Sequence, residues 1–575
     1  MKKSIKYLLL MSCVLSLVFA LTACGDDKKT EKKEEKTEAV KTESPIPTPG
    51  AWATAEEIDA YEAKLAEHIK LEKADAEYEY TQKVEKIDDK YGNYYQIFVY
   101  SFCDSDGDGW GDLNGITSKL DYIEESGFTG LWLTPIFKAG EYHKYHTVDY
   151  LQIDPKFGTM ADFEKLVAEC EKRDIDLILD LVMNHTSTTH EWFESAKASI
   201  LDGTYASNKY YNYYNFQTTK KENCYQIGKS GIYYEGSFNA NIPDLNLMNE
   251  DVRKEFETIA KFWLDKGISG FRLDAALHFV EEDTVKNTEI LKWFTDYVYG
   301  INKDAYIVAE VWTGIDDVIA YYGGGIDSAF NFAFGGNDGL IATTLRTSTG
   351  AQDYEEALIN LQNKLSEHKD VSTIIDAPFM SNHDLSRMSG YFADGEKKIK
   401  MAHALSQMMS GNSFVYYGDE LGMIGSGSND TNFRAPMYWS STDSTGMPKP
   451  PTGCKITNAD HVYGSVEEQK ADSNSIYNYV KRVLQLRNEN PEIARGTTEI
   501  MEGIDDTAVI AISKTYKNET IYILMNTSKY AKEVKVSKDD YGFSDIRGYV
   551  SADEYKPSFD GDTLKMPGCS VVILK

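Results

Sequence analysis

"DLILDLVMNH", Asp176 to His185, is a short apolar run that carries one carboxylate inside it and an Asn–His pair at its end. It is too short for a core helix and reads as a β-strand whose polar residues, Asp180, Asn184 and His185, gather towards the C-terminal end. Seven segments of the same kind flank it: "YQIFVYSF" (95–102) and "GLWLTPI" (130–136) before it, then "GFRLDA" (270–275), "AYIVAEVW" (305–312), "DSAFNFAF" (327–334), "DAPFMSN" (376–382) and "NSFVYYG" (412–418). Helical stretches separate them. Eight such units over about 400 residues predict an α/β fold of the (β/α)₈ barrel type. No GxGxxG turn follows the first segment, which sets a doubly wound nucleotide-binding sheet aside.

The remaining polar residues fall into place on that barrel. Arg272 and Asp274 close strand four, Glu310 closes strand five, and His383 and Asp384 close strand seven. Barrel active sites are built at the C-terminal ends of strands. One carboxylate there is an ordinary cap or loop anchor; Asp274, Glu310 and Asp384 together, with an arginine and two histidines, are a candidate catalytic group.

With these residues in view, the chain resembles the α-amylase family of retaining glycoside hydrolases over roughly residues 94 to 500. The motifs that carry the resemblance are "DLVMNH" (180–185), "GFRLDAALH" (270–278), "AEVW" (309–312), "FMSNHD" (379–384) and "IPDLN" (242–246), supported by "NHTSTTHEWF", "FVYYGDELGM" and "RAPMYW". The resemblance implies that Asp274 is the nucleophile, Glu310 the acid and base, and Asp384 the stabiliser of the oxocarbenium-like transition state. It also implies that Tyr145, His143, Asp180, His185, Arg272, His278 and His383 bind the sugar. Arg272 precedes Asp274 by two residues, so both leave the same side of the strand. Its charge is expected to lower the pKa of Asp274, whereas Glu310 has to hold a proton near neutrality.

"DSDGDGWGD" (104–112) places carboxylates at the odd positions of an EF-hand loop, but Gly115 stands where a bidentate Glu is required and a strand precedes it. By resemblance to family members like oligo-1,6-glucosidase, it is instead a structural Ca²⁺ loop, with Asp104, Asp106, Asp108 and Asp112 as side-chain ligands and Trp110 giving its carbonyl.

Several features lean towards α-1,4-glucan. Ala275 follows the nucleophile where α-1,6-cleaving relatives usually have Val, and His278 is kept from a "KH" pair although Leu277 replaces the Lys. His146 stands where many relatives carry Asp. "IPDLN" resembles a group intermediate between oligo-1,6-glucosidases and neopullulanases that contains lipoprotein α-amylases. The expected activity is endo-hydrolysis of starch or maltooligosaccharides. A 4-α-glucanotransferase, a cyclomaltodextrinase and an α-glucosidase on short substrates would share these groups. A sugar-binding lipoprotein without catalysis is the alternative from another class, and it does not explain three intact carboxylates.

Outside the barrel, more than fifty Tyr-, Asn-, Ser- and Gly-rich residues, 183–245, read as a subdomain inserted after strand three, the barrel itself being 92–182 and 246–494. Short alternating strands from residue 495 predict a C-terminal β domain (495–575). A capping-box pair, Thr54 and Glu57, opens an apolar period at Ile58, Tyr61, Leu65 and Ile69, which predicts a helical segment over 54–91. Lys2, Lys3 and Lys6 precede an apolar run, Tyr7–Leu21, too short for a membrane span. It ends in "LTAC", which resembles a lipobox. A signal peptide (1–23), an acylated Cys24 and a charged, then Pro/Thr-rich tether (24–53) are therefore expected, with the body on the outer face of a bacterial membrane and no other membrane contact. The five remaining cysteines, Cys103, Cys170, Cys224, Cys454 and Cys569, are odd in number and lack a CxxC pair, so neither a disulfide framework nor a zinc site is read. A net charge of −31 argues against nucleic-acid partners, and 39 tyrosines suit stacking on uncharged sugars.

Overall fold

Barrel strands β1 (Asn93–Ile97), β2 (Gly130–Leu133), β3 (Asp176–Leu181), β4 (Gly270–Leu273), β5 (Tyr306–Ala309), β6 (Ser328–Ala329) and β7 (Ser413–Tyr416) form one parallel sheet in the computed structural model. Their spatial order is β6-β5-β4-β3-β2-β1-β7. The described residues are 54–74, 84, 86–347, 349–367, 374–392 and 395–575. The signal peptide, acylated Cys24 and tether expected over residues 1–53 lie outside them.

The expected seventh strand, "DAPFMSN", is not a regular strand. It makes two single parallel bridges, Ala377 to Phe330 beside β6 and Phe379 to Phe414 in β7, and so closes the ring. Pro378 explains the interruption, since it has no N–H to give a ladder; its carbonyl still accepts from Phe414 N at 2.9 Å. The first segment is also shorter than read: β1 ends at Ile97, and Val99–Phe102 is a single helical turn.

Alternation along the strands sorts side chains into two layers. Tyr94, Trp132, Ile178, Tyr306, Val308, Phe330, Phe379 and Phe414 fill the barrel interior, with Tyr94 stacked on Tyr306 and on Phe414 at 5.2 and 4.9 Å. Gly130 is needed beneath this floor, because a Cβ there would stand 2.5 Å from the Tyr94 ring. Tyr95, Leu131, Leu179, Phe271 and Ile307 face the other way, into the core shared with the surrounding helices.

Between β3 and β4 the inserted region holds a helix, Glu191–Asp202, and a small antiparallel sheet of Phe216–Gln217, Tyr233–Glu235 and Cys224–Gln226. Bridges His185–Asp244 and Tyr214–Leu245 tie the start and the middle of this region to its end, where the chain re-enters the barrel. Past the barrel, Thr497–Ile500, Val509–Tyr516, Glu519–Asn526, Ser570–Leu574 and Ile546–Ser551 form a five-stranded antiparallel sheet, faced by a three-stranded one, as the alternation from residue 495 implied.

The helix expected over 54–91 is shorter than predicted. It spans Ala55–Ala66, with the capping box at Thr54 and Glu57 intact. Glu72–Lys73 instead pairs antiparallel with Tyr555–Lys556 of the C-terminal domain. A free edge there overrides the local helical preference. The helix docks on the same domain: Glu62 accepts from Ser528 Oγ at 2.6 Å and Lys532 Nζ at 3.1 Å, and Asp59 pairs with Lys529 at 2.8 Å.

Candidate active site

Parallel pairing places Arg272 of β4 opposite Asp180 of β3, and both point into the barrel mouth. Asp274 and Glu310 follow one residue past the ends of β4 and β5. The fully buried Arg272 binds all three carboxylates. Its Nη1 donates to Asp180 Oδ1 at 2.8 Å and to Asp274 Oδ1 at 2.6 Å, while its Nη2 lies 2.9 Å from Glu310 Oε1. Asp180 also accepts from Trp132 Nε1 at 3.1 Å and Tyr145 OH at 2.9 Å. The other oxygen of Glu310 accepts from Ala275 N at 3.1 Å.

One guanidinium facing three carboxylates leaves an excess of acidic groups in a buried pocket. Burial pushes the Asp274 carboxyl well above its usual range; Arg272 opposes this, and Glu310 and Asp180 add to it. The expected net lowering by Arg272 is thus overturned: the guanidinium is divided among three partners, and desolvation prevails. Asp180 is likewise pushed up to about 6, first by burial. Asp180 and Asp274 therefore hold a proton more firmly than exposed carboxylates would.

Asp384 lies across the site. Burial pushes its pKa up, but His383 and the guanidiniums of Arg434 and Arg272 outweigh that and hold it low. Arg434 Nη2 donates to Asp384 Oδ1 at 2.8 Å and its Nε to the His383 carbonyl at 2.9 Å. The Tyr145 ring stacks on His383 with centroids 5.2 Å apart and planes 2° apart. His185 is buried, with no partner on Nε2, and burial lowers its pKa to about 3. Phe238 of the inserted region packs edge-on to both His185 and His278, at 5.5 and 5.2 Å.

The structure thus gathers Asp180, Arg272, Asp274, Glu310, His383, Asp384 and Tyr145 around one mouth, with His185 at its side. His143 stands beside Tyr145 in the wall of that mouth: its Nδ1 accepts from Tyr145 N at 3.1 Å, and its ring packs on Tyr142 and His146. His278 sits at the rim, half-exposed, 3.0 Å from Glu281. Sequence reasoning missed Gln96, Trp132 and Arg434. Arg434 stands in "RAPMYW", where nothing in the local sequence marks it as a partner of a residue fifty positions earlier.

In the acidic loop, ligand oxygens of Asp104, Asp106 and Asp108 lie within 4.8 Å of one another, a donor set that suits a hard cation. Asp112 stands outside that group and serves as a helix N-cap. Its Oδ1 accepts from Gly115 N at 2.8 Å and Ser105 Oγ at 2.7 Å, its Oδ2 from Ser105 N at 2.7 Å. Lys156 reaches Asp108 Oδ2 at 2.7 Å. The Trp110 ring packs on Tyr100 and beneath Lys144, which is paired with Asp154 beside the Tyr145 turn.

A curled parallel sheet with an arginine-bound carboxylate trio at its C-terminal mouth defines a barrel glycosidase. A family model described as the alpha amylase catalytic domain matches residues 96–496, and the chain belongs to that family: it is a glycoside hydrolase of α-glucans. Alpha-amylase 3 of Dictyoglomus thermophilum is 35% identical to it over 451 residues, 76% of this chain and 84% of the relative. Among solved structures, Eubacterium rectale Amy13B is similar at 39% identity and a TM-score of 0.82, covering 86% of this chain and 97% of its own. The α-amylase from H. orenii is similar at 32% and 0.74, covering 84% and 99%.

Proposed function

We propose that this chain is a retaining α-amylase that hydrolyses internal α-1,4-glucosidic bonds of starch and maltooligosaccharides, held at the outer face of a bacterial membrane by lipid on Cys24. Asp274 attacks the anomeric carbon as Glu310 protonates the departing glycosidic oxygen, giving a covalent glycosyl-enzyme and a free chain end. Glu310, now ionised, takes a proton from water, whose oxygen displaces Asp274. The single observation behind this reading is that neighbouring nitrogens of Arg272 bind Asp274 and Glu310. A shared guanidinium favours the close carboxyl spacing of retaining enzymes, ~5–5.5 Å, over the wider inverting one. Asp384 and His383 would hold hydroxyls of the reacting sugar, Tyr145 would stack on it, and His185 would bond to it.

A structural Ca²⁺ belongs to this reading. Asp104, Asp106 and Asp108 with the Trp110 carbonyl would hold it, and it would neutralise the clustered carboxylates. Asp112 would brace the loop as its cap. The similarity to chains described as α-amylases, at 35% and 32% identity, supports the α-1,4 assignment.

The test is a product time course on amylose, pullulan, cyclodextrin and maltotriose, run beside Asp274→Asn and Glu310→Gln. Mixed oligomers early from amylose are expected, with turnover reduced by on the order of 10³-fold or more in either variant. Glucose as the sole early product would overturn endo attack, and near-normal hydrolysis by Asp274→Asn would overturn the mechanism.

A further inference from the structure

We propose that Gln96 is a positioning residue that fixes the tautomer of His383 and so determines which ring nitrogen offers an N–H to Asp384 and the reacting sugar. Gln96 lies on β1 with 1% of its surface exposed, and nothing in its position along the chain connects it to a histidine 287 residues away. Its Nε2 stands 2.9 Å from His383 Nδ1. An amide nitrogen donates and cannot accept, so Nδ1 must carry its lone pair outward and a neutral ring must carry its proton on Nε2. That Nε2 lies 3.2 Å from Asp384 Oδ2, yet no protein acceptor is aligned with it. It is a buried N–H with an unfilled acceptor position on the side of the site that the proposed function gives to sugar hydroxyls.

Three rings hold the imidazole plane. Tyr145 stacks on one face at 5.2 Å, Phe98 lies near-parallel at 6.2 Å, and the Trp132 edge meets it at 5.9 Å. The ring cannot rotate to exchange its nitrogens without displacing them. The titratable and charged groups that act on it are Asp384, which favours a second proton, and Arg434, Arg272 and His143, which disfavour one, with Tyr145 stacked alongside. Burial is the largest influence and keeps the ring neutral, with its pKa lowered to about 3. Neutrality is what makes the tautomer matter. With an acceptor at position 96 the proton would sit on Nδ1, and the Nε2 lone pair would oppose the Asp384 carboxylate.

The proposal rests on the roles given above to His383 and Asp384, so its test is separated from theirs. Nitrogen-15 NMR of the whole protein, with His383 assigned by comparison with His383→Gln, reads the tautomer directly and needs no activity. A protonated Nε2 is expected; a protonated Nδ1 overturns the proposal whatever the enzyme hydrolyses. Gln96→Glu supplies the functional arm. A carboxylate accepts from Nδ1–H, so kcat should fall by on the order of 10²-fold at neutral pH, more than KM changes. As pH falls, the introduced carboxylate gains a proton and can donate again, so the ratio of variant to wild-type kcat should climb. Gln96→Met, which neither donates nor accepts, should fall less and show no such climb. Equal activity of Gln96→Glu and wild type, or a deficit constant with pH, would overturn the assignment. Failure of Asp274→Asn to lose activity would sink the catalytic reading and leave the tautomer result standing.

Discussion

The backbone N–H of Ala275 donates to Oε2 of Glu310 at 3.1 Å, so the residue after one carboxylate grips the side chain of the other. To do so Ala275 adopts a left-handed conformation, φ 49° and ψ 38°, and the next N–H, of Ala276, binds the Glu310 carbonyl at 2.9 Å. A Cβ in that region costs on the order of 1 kcal/mol, here offset by two hydrogen bonds in a buried site.

Ala275→Gly removes the offending Cβ and keeps the N–H. The expected result is unchanged kcat and a folded state more stable by up to about 1 kcal/mol, read from thermal unfolding. A lower Tm would show that the turn is not strained.

His190 caps the helix Glu191–Asp202, its Nδ1 accepting from Trp192 N at 3.2 Å, and burial lowers its pKa to about 4. Below pH 6.5 the unfolded chain takes up a proton there that the native state refuses down to about 4, so this group subtracts stability as pH falls through that window. His190→Asn keeps a capping oxygen and removes the titration. Unfolding free energy measured from pH 4 to 6.5 should then slope less steeply, by up to about 1.4 kcal/mol per pH unit. Parallel slopes for variant and wild type would refute the assignment.

In the acidic loop the two classes of carboxylate should separate. Stripping Ca²⁺ with a chelator should lower Tm, and Asp106→Asn should abolish most of that difference. Asp112→Asn retains the N-cap oxygen but turns its amide NH2 towards the Ser105 N–H, so it should cost about 1–3 kcal/mol and leave the chelator response in place. A chelator without effect on wild type would remove the metal from the account.

The Glu62 side chain is only 13% exposed, its carboxylate held between Ser528 and Lys532. Glu62→Ala should destabilise by about 1–3 kcal/mol in chemical denaturation while kcat/KM on amylose stays at the wild-type value. An unchanged midpoint would mean that the helix is not fastened there.

Most of the mouth was legible in the sequence because barrel strands deliver side chains to one end. Asp180, Arg272, Asp274, Glu310, His383 and Asp384 each stand at or just past such an end, and strand periodicity alone puts Arg272 and Asp274 on one side. What escaped reading depends on meetings between distant segments. Gln96 looks like a polar interruption in an apolar strand, and Arg434 like part of a loop. The direction of the Asp274 pKa follows first from its burial and then from how many carboxylates share Arg272, neither of which linear spacing discloses. The length of the first helix was misread for a related reason: the edge that captures Glu72 and Lys73 belongs to residues 555–556, far downstream.

That capture has a temporal side. Ser528, which secures Glu62, is made 466 residues after it, so during synthesis the first helix emerges long before its berth exists. Closing so long a loop is entropically costly and slow to be rewarded. The helix therefore clips on as a late event, once the C-terminal sheet has formed, and nascent chains halted short of that sheet should leave residues 54–73 open to proteases.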